Sequence, residues 1–194
     1  LIDSISALGA VDLPMDKLGI DVLVSASQKA WMAPPGMAFI AVSPYAWEKH
    51  ETAKLPHYYF DISMYKEFAA KNQTPATPAV SILFALDASL GMMRKEGKET
   101  VFQRHIDLMK FMREGIRKIG LELFVKDEFA SKTVTSIKVP YGIDAKAWTD
   151  EIKTKYNIIL AGGMGETKGK IIRVAHMGYV SQLDLEEVLN ALSS

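Results

Sequence analysis

The stretch "VSASQKAWMAPPG" (residues 24–36) joins the end of an apolar, β-branched run to a rigid Pro-Pro-Gly turn, with one lysine between them. Val22 to Val24 predicts a strand, Pro34-Pro35-Gly36 a turn, and "MAFIAVS" (37–43) a second strand beyond it. Lys29 therefore falls just past the C-terminal end of a strand. In an open α/β sheet that edge is where ligands bind. A lone lysine after a strand is nevertheless usually a solvated charge.

Toward the N-terminus, "LID" (1–3) predicts the end of another strand and puts Asp3 in the same place one strand earlier. If the two strands are parallel, their C-terminal ends share one edge, about 5 Å apart per strand step. An amine and a carboxylate across one cleft suit a ligand with an electrophile at one end and a basic nitrogen at the other. Pyridoxal phosphate has that shape: its aldehyde forms a Schiff base with a lysine, and an aspartate keeps its ring nitrogen protonated. Taken alone, Asp3 reads better as a turn acid or helix cap.

Toward the C-terminus, residues 44–78 read as an irregular aromatic connection with a short helical start at Pro44. Tyr58, Tyr59, Phe60, Tyr65 and Phe68 are poor choices for solvent, so this connection is expected to lie on another surface. Val80, Leu83, Leu86, Leu90 and Met93 then keep helical spacing up to Gly97. A second helix is predicted from about Thr100 to Ile119, with Phe102, Ile106, Met109, Met112, Ile116 and Ile119 on its buried face and Gly120 as its stop. The remainder reads as α+β. Strands are expected in "TVTSIKV" (133–139), "NIILAGG" (157–163) and "KIIRVAHMG" (170–178). Asp144 is expected to cap a helix to Tyr156, and Ser181 with Asp184 to open a closing helix. The change near Gly97 divides the chain into 1–96 and 97–194.

Composition narrows the function classes. Lys plus Arg and Asp plus Glu both number 23 in 194 residues, so no net field invites nucleic acid or an anionic membrane. No run approaches the roughly 20 apolar residues of a membrane span, and a cytoplasmic globular protein is the expectation. There is no cysteine, hence no thiolate ligand, disulfide or thiol nucleophile. "GGMGETKGK" (162–170) fails as a phosphate loop, because Met164 and Ile171 stand where glycine and a hydroxyl residue are needed; a hairpin turn is expected instead. His50, His57, His105 and His176 have no metal-site spacing, and only His176, near Arg173, attracts weak interest. Arg173 interrupts the apolar "KIIRVA". It is either an edge-strand arginine facing solvent or a bidentate clamp for a carboxylate.

Taken together, "DSISALGAVDLPMDKLGIDVLVSASQKAWMAPPG" (3–36), "TPATPAVSILFALDASL" (74–90) and "GGMGETKGKIIRVAHMG" (162–178) resemble the alanine–glyoxylate and serine–pyruvate aminotransferases. These form part of the class V branch of fold-type I pyridoxal-phosphate enzymes. The resemblance runs through essentially the whole chain. It implies an α/β fold: the second half of a large cofactor-binding domain (1–96) and a C-terminal α+β small domain (97–194). It implies that Lys29 forms the Schiff base with pyridoxal 5'-phosphate and then carries the proton at the substrate Cα. Asp3 would be the pyridinium partner. Gln28 would contact the phosphate, with Ser27 serving either there or in the turn. Thr77 would reach the phosphate across a homodimer interface, and Arg173 would hold the substrate α-carboxylate. Thr74 stands where the family often has a tyrosine, which leaves a second cross-subunit contact open.

The implied substrates are a small amino acid, alanine or serine, and a 2-oxo acid, glyoxylate or pyruvate. Ureidoglycine- and aminoethylphosphonate-type aminotransferases stay open. A cysteine desulfurase would carry histidine at Gln28 and a catalytic cysteine. Asp3 lies about midway along the family's polypeptide, so the segment alone is expected to lack useful transaminase activity, or to serve only as a folding or dimerisation module.

Overall fold

The computed structural model describes residues 1–194. Its elements are β1 (Ile2–Asp3), β2 (Val22–Ala26), β3 (Ala38–Val42), α1 (Pro44–His50), α2 (Ile62–Ala69), α3 (Val80–Glu96), α4 (Lys98–Lys118), β4 (Val134–Lys138), α5 (Ala145–Tyr156), β5 (Ala161–Gly162), β6 (Ile171–Ala175) and α6 (Gln182–Ser193). No helix is long and apolar enough to cross a membrane.

Two three-stranded sheets form, ordered β1-β2-β3 and β4-β6-β5. In the first, β1 and β2 are parallel, whereas β3 returns antiparallel to β2 after the Pro-Pro-Gly turn. In the second, β6 lies between β4 and β5 and is antiparallel to both. Arg173 is therefore on a central strand, between Ser136 and Ala161, and the edge-strand explanation for it does not hold. The glycine-rich segment closes the β5–β6 hairpin, with one turn of 3-10 helix at Gly165–Thr167.

Helix ends follow local chemistry. Asp144 caps α5 by accepting from the Ala147 N–H at 2.7 Å. Ser181 and Asp184 make a reciprocal capping box on α6. Gly120 follows α4 with φ 80°, a left-handed stop that a side chain would resist. The connection 44–78 holds α2, which the aromatic run conceals; Asp61 caps it by accepting from the Ser63 N–H at 2.9 Å. Tyr58 and Phe60 of that connection are 85% and 83% exposed, so in this chain they do not lie on a surface as expected.

The continuous core sits behind the second sheet, where Leu108, Met112 and Ile116 of α4 meet Ile137, Ile152, Ile172, Val174 and the α6 residues Leu185, Val188, Ala191 and Leu192. Each large aliphatic chain buried there contributes on the order of 2 kcal/mol. The buried stripe of α4 is Val101, His105, Leu108, Met112, Arg113 and Ile116. Met112 and Ile116 of the expected face are fully buried and Ile119 packs against the core, but toward the N-terminus the stripe is rotated, leaving Phe102, Ile106 and Met109 only half-buried.

Candidate active site

The parallel pairing of β1 and β2 puts Asp3 opposite Val24, so the chain leaves both strands at one sheet edge. Asp3 is exposed, and its Oδ1 accepts from the Ile5 N–H at 2.9 Å, the turn-acid role that its position alone suggests. Lys29 follows the end of β2 and is half-buried. The ten ion pairs of the fold engage neither residue.

The backbone around Lys29 is held from several sides. Its carbonyl accepts from the Met32 N–H at 3.1 Å, and Met32 takes a left-handed φ of 59° to make that turn. Ser27 is fully buried. Its hydroxyl donates to the Pro34 carbonyl at 2.7 Å and accepts from the Met37 N–H at 3.3 Å, which places it in the turn. Trp31 Nε1 donates to Ser25 Oγ at 2.9 Å. A Cβ on Gly9 would lie 3.2 Å from Ala30 Cβ, one on Gly36 2.4 Å from Ile82 Cδ1, and one on Gly178 3.1 Å from the Lys29 carbonyl oxygen. A side chain at Gly9 or Gly178 would crowd the turn, and one at Gly36 would require the Ile82 side chain to move.

Gln28 is exposed beside Lys29, and Thr77 is exposed between α2 and α3. The Thr74 hydroxyl is spent locally, donating to the Ala76 carbonyl at 2.7 Å. Arg173 is half-buried and its Nε donates to the Gly162 carbonyl at 2.9 Å. From Arg173 the chain runs through His176 to Gly178, and so arrives against the Lys29 turn. No local sequence pattern marks this junction, because its residues are far apart in the chain. His105 Nδ1 donates to the Val101 carbonyl at 2.7 Å, while its Nε2 accepts from the Gly178 N–H at 3.2 Å. Arg104 donates to the Gly178 carbonyl at 2.8 Å and forks onto both carboxylate oxygens of Glu96. Burial lowers the pKa of His105. His176 is also fully buried, 2.9 Å from the Thr135 hydroxyl, and burial carries its pKa down to about 4.

Two further features lie apart from the lysine. An open apolar cleft of about 530 Å³ is lined by Leu8, Val11, Trp31, Leu90, Met93 and Phe102, and holds none of Asp3, Gln28, Lys29, Thr77 or Arg173. Despite their unpromising spacing, His50 and His57 meet Asp61 with ligand atoms within 4.8 Å. Existing hydrogen bonds account for that trio. The Ser63 hydroxyl meets His50 Nε2 at 2.6 Å, the Leu55 carbonyl meets His57 Nδ1 at 2.6 Å, and Asp61 caps α2.

An unpaired amine on a rigid turn and a carboxylate on the adjacent parallel strand form a donor set that fits pyridoxal phosphate. The family model Aminotransferase class-V matches residues 1–186. The soluble hydrogenase 42 kDa subunit of Anabaena cylindrica is 43% identical over 192 residues, 99% of this chain and 50% of that protein. The L-aspartate–glyoxylate aminotransferase of Paracoccus denitrificans is 38% identical over 178 residues, 91% of this chain and 45% of its own length. Among solved structures, the alanine–glyoxylate aminotransferase from Nostoc sp. matches with a TM-score of 0.93 at 29% identity, covering 98% of this chain and 52% of that one. The chain spans about half the length of the curated relatives it matches.

Proposed function

The chain belongs to the class V aminotransferases, and from that membership we propose that it supplies the lysine and the carboxylate clamp of a pyridoxal-phosphate-dependent transaminase. Residues 1–96 serve as part of its large domain and 97–194 as its small domain. The observation that carries this reading is the parallel register of β1 and β2, which delivers Asp3 and the Lys29 turn to one sheet edge.

When bound, the cofactor supplies an electron sink that makes the Cα–H of an amino acid acidic. Lys29 would hold it through Nζ. The same nitrogen would serve as the base that takes the proton from the substrate Cα and later returns it, a task that needs a base fixed close to that carbon. Asp3 pairs with the ring nitrogen and keeps its proton in place. Gln28 donates its amide N–H to the phosphate, and Thr77 reaches the phosphate of a second copy in a homodimer. Arg173, whose Nε is already fixed by Gly162, offers its remaining N–H groups to the substrate α-carboxylate.

The proposed exchange moves an amino group from alanine or serine to glyoxylate or pyruvate. The test uses the full-length protein. Wild type is expected to show a visible absorbance band with added cofactor, and Lys29→Ala to lose it. A screen of amino donors, with aspartate and ureidoglycine included, should give its highest kcat/KM with alanine or serine. A band that persists in the alanine variant would remove Lys29 from its role.

A further inference from the structure

We propose that His105 and Arg104 are positioning residues for Lys29, acting through the backbone of Gly178. This rests on the reading of Lys29 above, but its mechanical half stands on geometry alone.

Gly178 is gripped at both polar atoms: its N–H donates to His105 Nε2 at 3.2 Å and its carbonyl accepts from Arg104 at 2.8 Å. Both grips are oriented. The Val101 carbonyl can only accept, so His105 Nδ1 must carry the proton and Nε2 must be bare, which is the form the Gly178 N–H requires. The Arg104 guanidinium is anchored on the two carboxylate oxygens of Glu96, at 2.6 and 3.0 Å. That fork fixes its plane and aims the third N–H at Gly178.

The gripped residue abuts the turn that carries the lysine. Gly178 has φ 76°, and a Cβ there would come within 3.1 Å of the Lys29 carbonyl oxygen and 3.4 Å of Met32 Cγ. That carbonyl closes the turn by accepting from the Met32 N–H, with Met32 in a left-handed conformation at φ 59°. A non-glycine residue persists there only when its surroundings hold it. Gly9 backs Ala30 closely as well: a Cβ there would lie 3.2 Å from Ala30 Cβ. Losing the Gly178 grip frees one wall of the Lys29 turn without touching the lysine side chain. The turn then spends part of its time in arrangements that do not present Nζ, and apparent cofactor affinity falls in proportion.

The experiment compares wild type, His105→Leu and His105→Gln in the full-length protein; glutamine keeps an acceptor near Nε2. Two quantities are read: amide hydrogen exchange at Met32 and Ala33, and the dissociation constant for pyridoxal 5'-phosphate. A lost hydrogen bond of ordinary strength predicts that both rise about tenfold in the leucine variant, with glutamine restoring most of the change. Gly178→Ala, which pushes the turn directly, should raise exchange at the same two amides and covers the case in which His105→Leu does not fold. Unchanged exchange at Met32 and Ala33 in folded His105→Leu or Gly178→Ala overturns the proposal, as does equal failure of the leucine and glutamine variants. If wild type binds no cofactor, the function proposed for Lys29 falls, and the exchange measurement still decides whether His105 holds the turn.

Discussion

Ser27 explains how a lysine can project from a strand end without a mobile loop beneath it. Its hydroxyl is fully buried and doubly used, donating to Pro34 and accepting from Met37. Ser27→Ala would leave the Pro34 carbonyl without that donor, a loss of about 1–3 kcal/mol, read as a lower urea midpoint in the full-length protein. A drop well under 1 kcal/mol would mean that water enters and replaces the hydroxyl. The sequence left Ser27 open between phosphate contact and turn, because a serine can serve either until its neighbours are known. The placement of Lys29 past the end of β2, with Asp3 on the parallel neighbour, was legible from the strand pattern. The second wall of its turn was not, since Gly178, His105 and Arg104 meet it only through long-range packing.

At the scale of elements, the strands, caps and hairpin followed from local pattern, and the misreading of α4 shows where pattern fails. Counting apolar residues finds Met112 and Ile116 but also selects Phe102, Ile106 and Met109, whereas the buried stripe runs through His105 and Arg113. Both are polar by composition and buried because they are paired: His105 with Val101 and Gly178, Arg113 with Asp127 and the Val125 carbonyl. Helix α2 was hidden differently. Its Asp61 cap was a readable signal, outweighed by the aromatic run before it. Where local chemistry decides an end, a magnitude follows. Ser181→Ala removes both hydroxyl contacts of the capping box and should destabilise α6 by about 1 kcal/mol. Asp184→Asn, which keeps an acceptor, should cost less. A larger loss from Asp184→Asn than from Ser181→Ala would show that charge, rather than the cap hydrogen bond, holds this end.

Across the whole molecule, His105 and His176 stand at the joint where the second sheet and α4 meet the Lys29 turn, and both are buried neutral. An unfolded histidine binds a proton below about pH 6.5, whereas the folded site at His176 resists until about 4. Its contribution is thus complete above pH 6.5 and is lost progressively as pH falls toward 4, reaching on the order of 3 kcal/mol. His105 acts in the same direction. The carboxylates with lowered pKa act in a separate window. Glu96, through its hydrogen bond to Arg104, and Asp127, through Arg117 and Arg113, lose their contributions only below about pH 4.5. Urea unfolding of the full-length protein should therefore show its midpoint already falling between pH 6.5 and 4.5. His176→Gln should flatten that interval while leaving the steeper loss below it. A wild-type midpoint that stays level down to pH 4.5 would mean that the joint opens to water before the rest of the fold gives way.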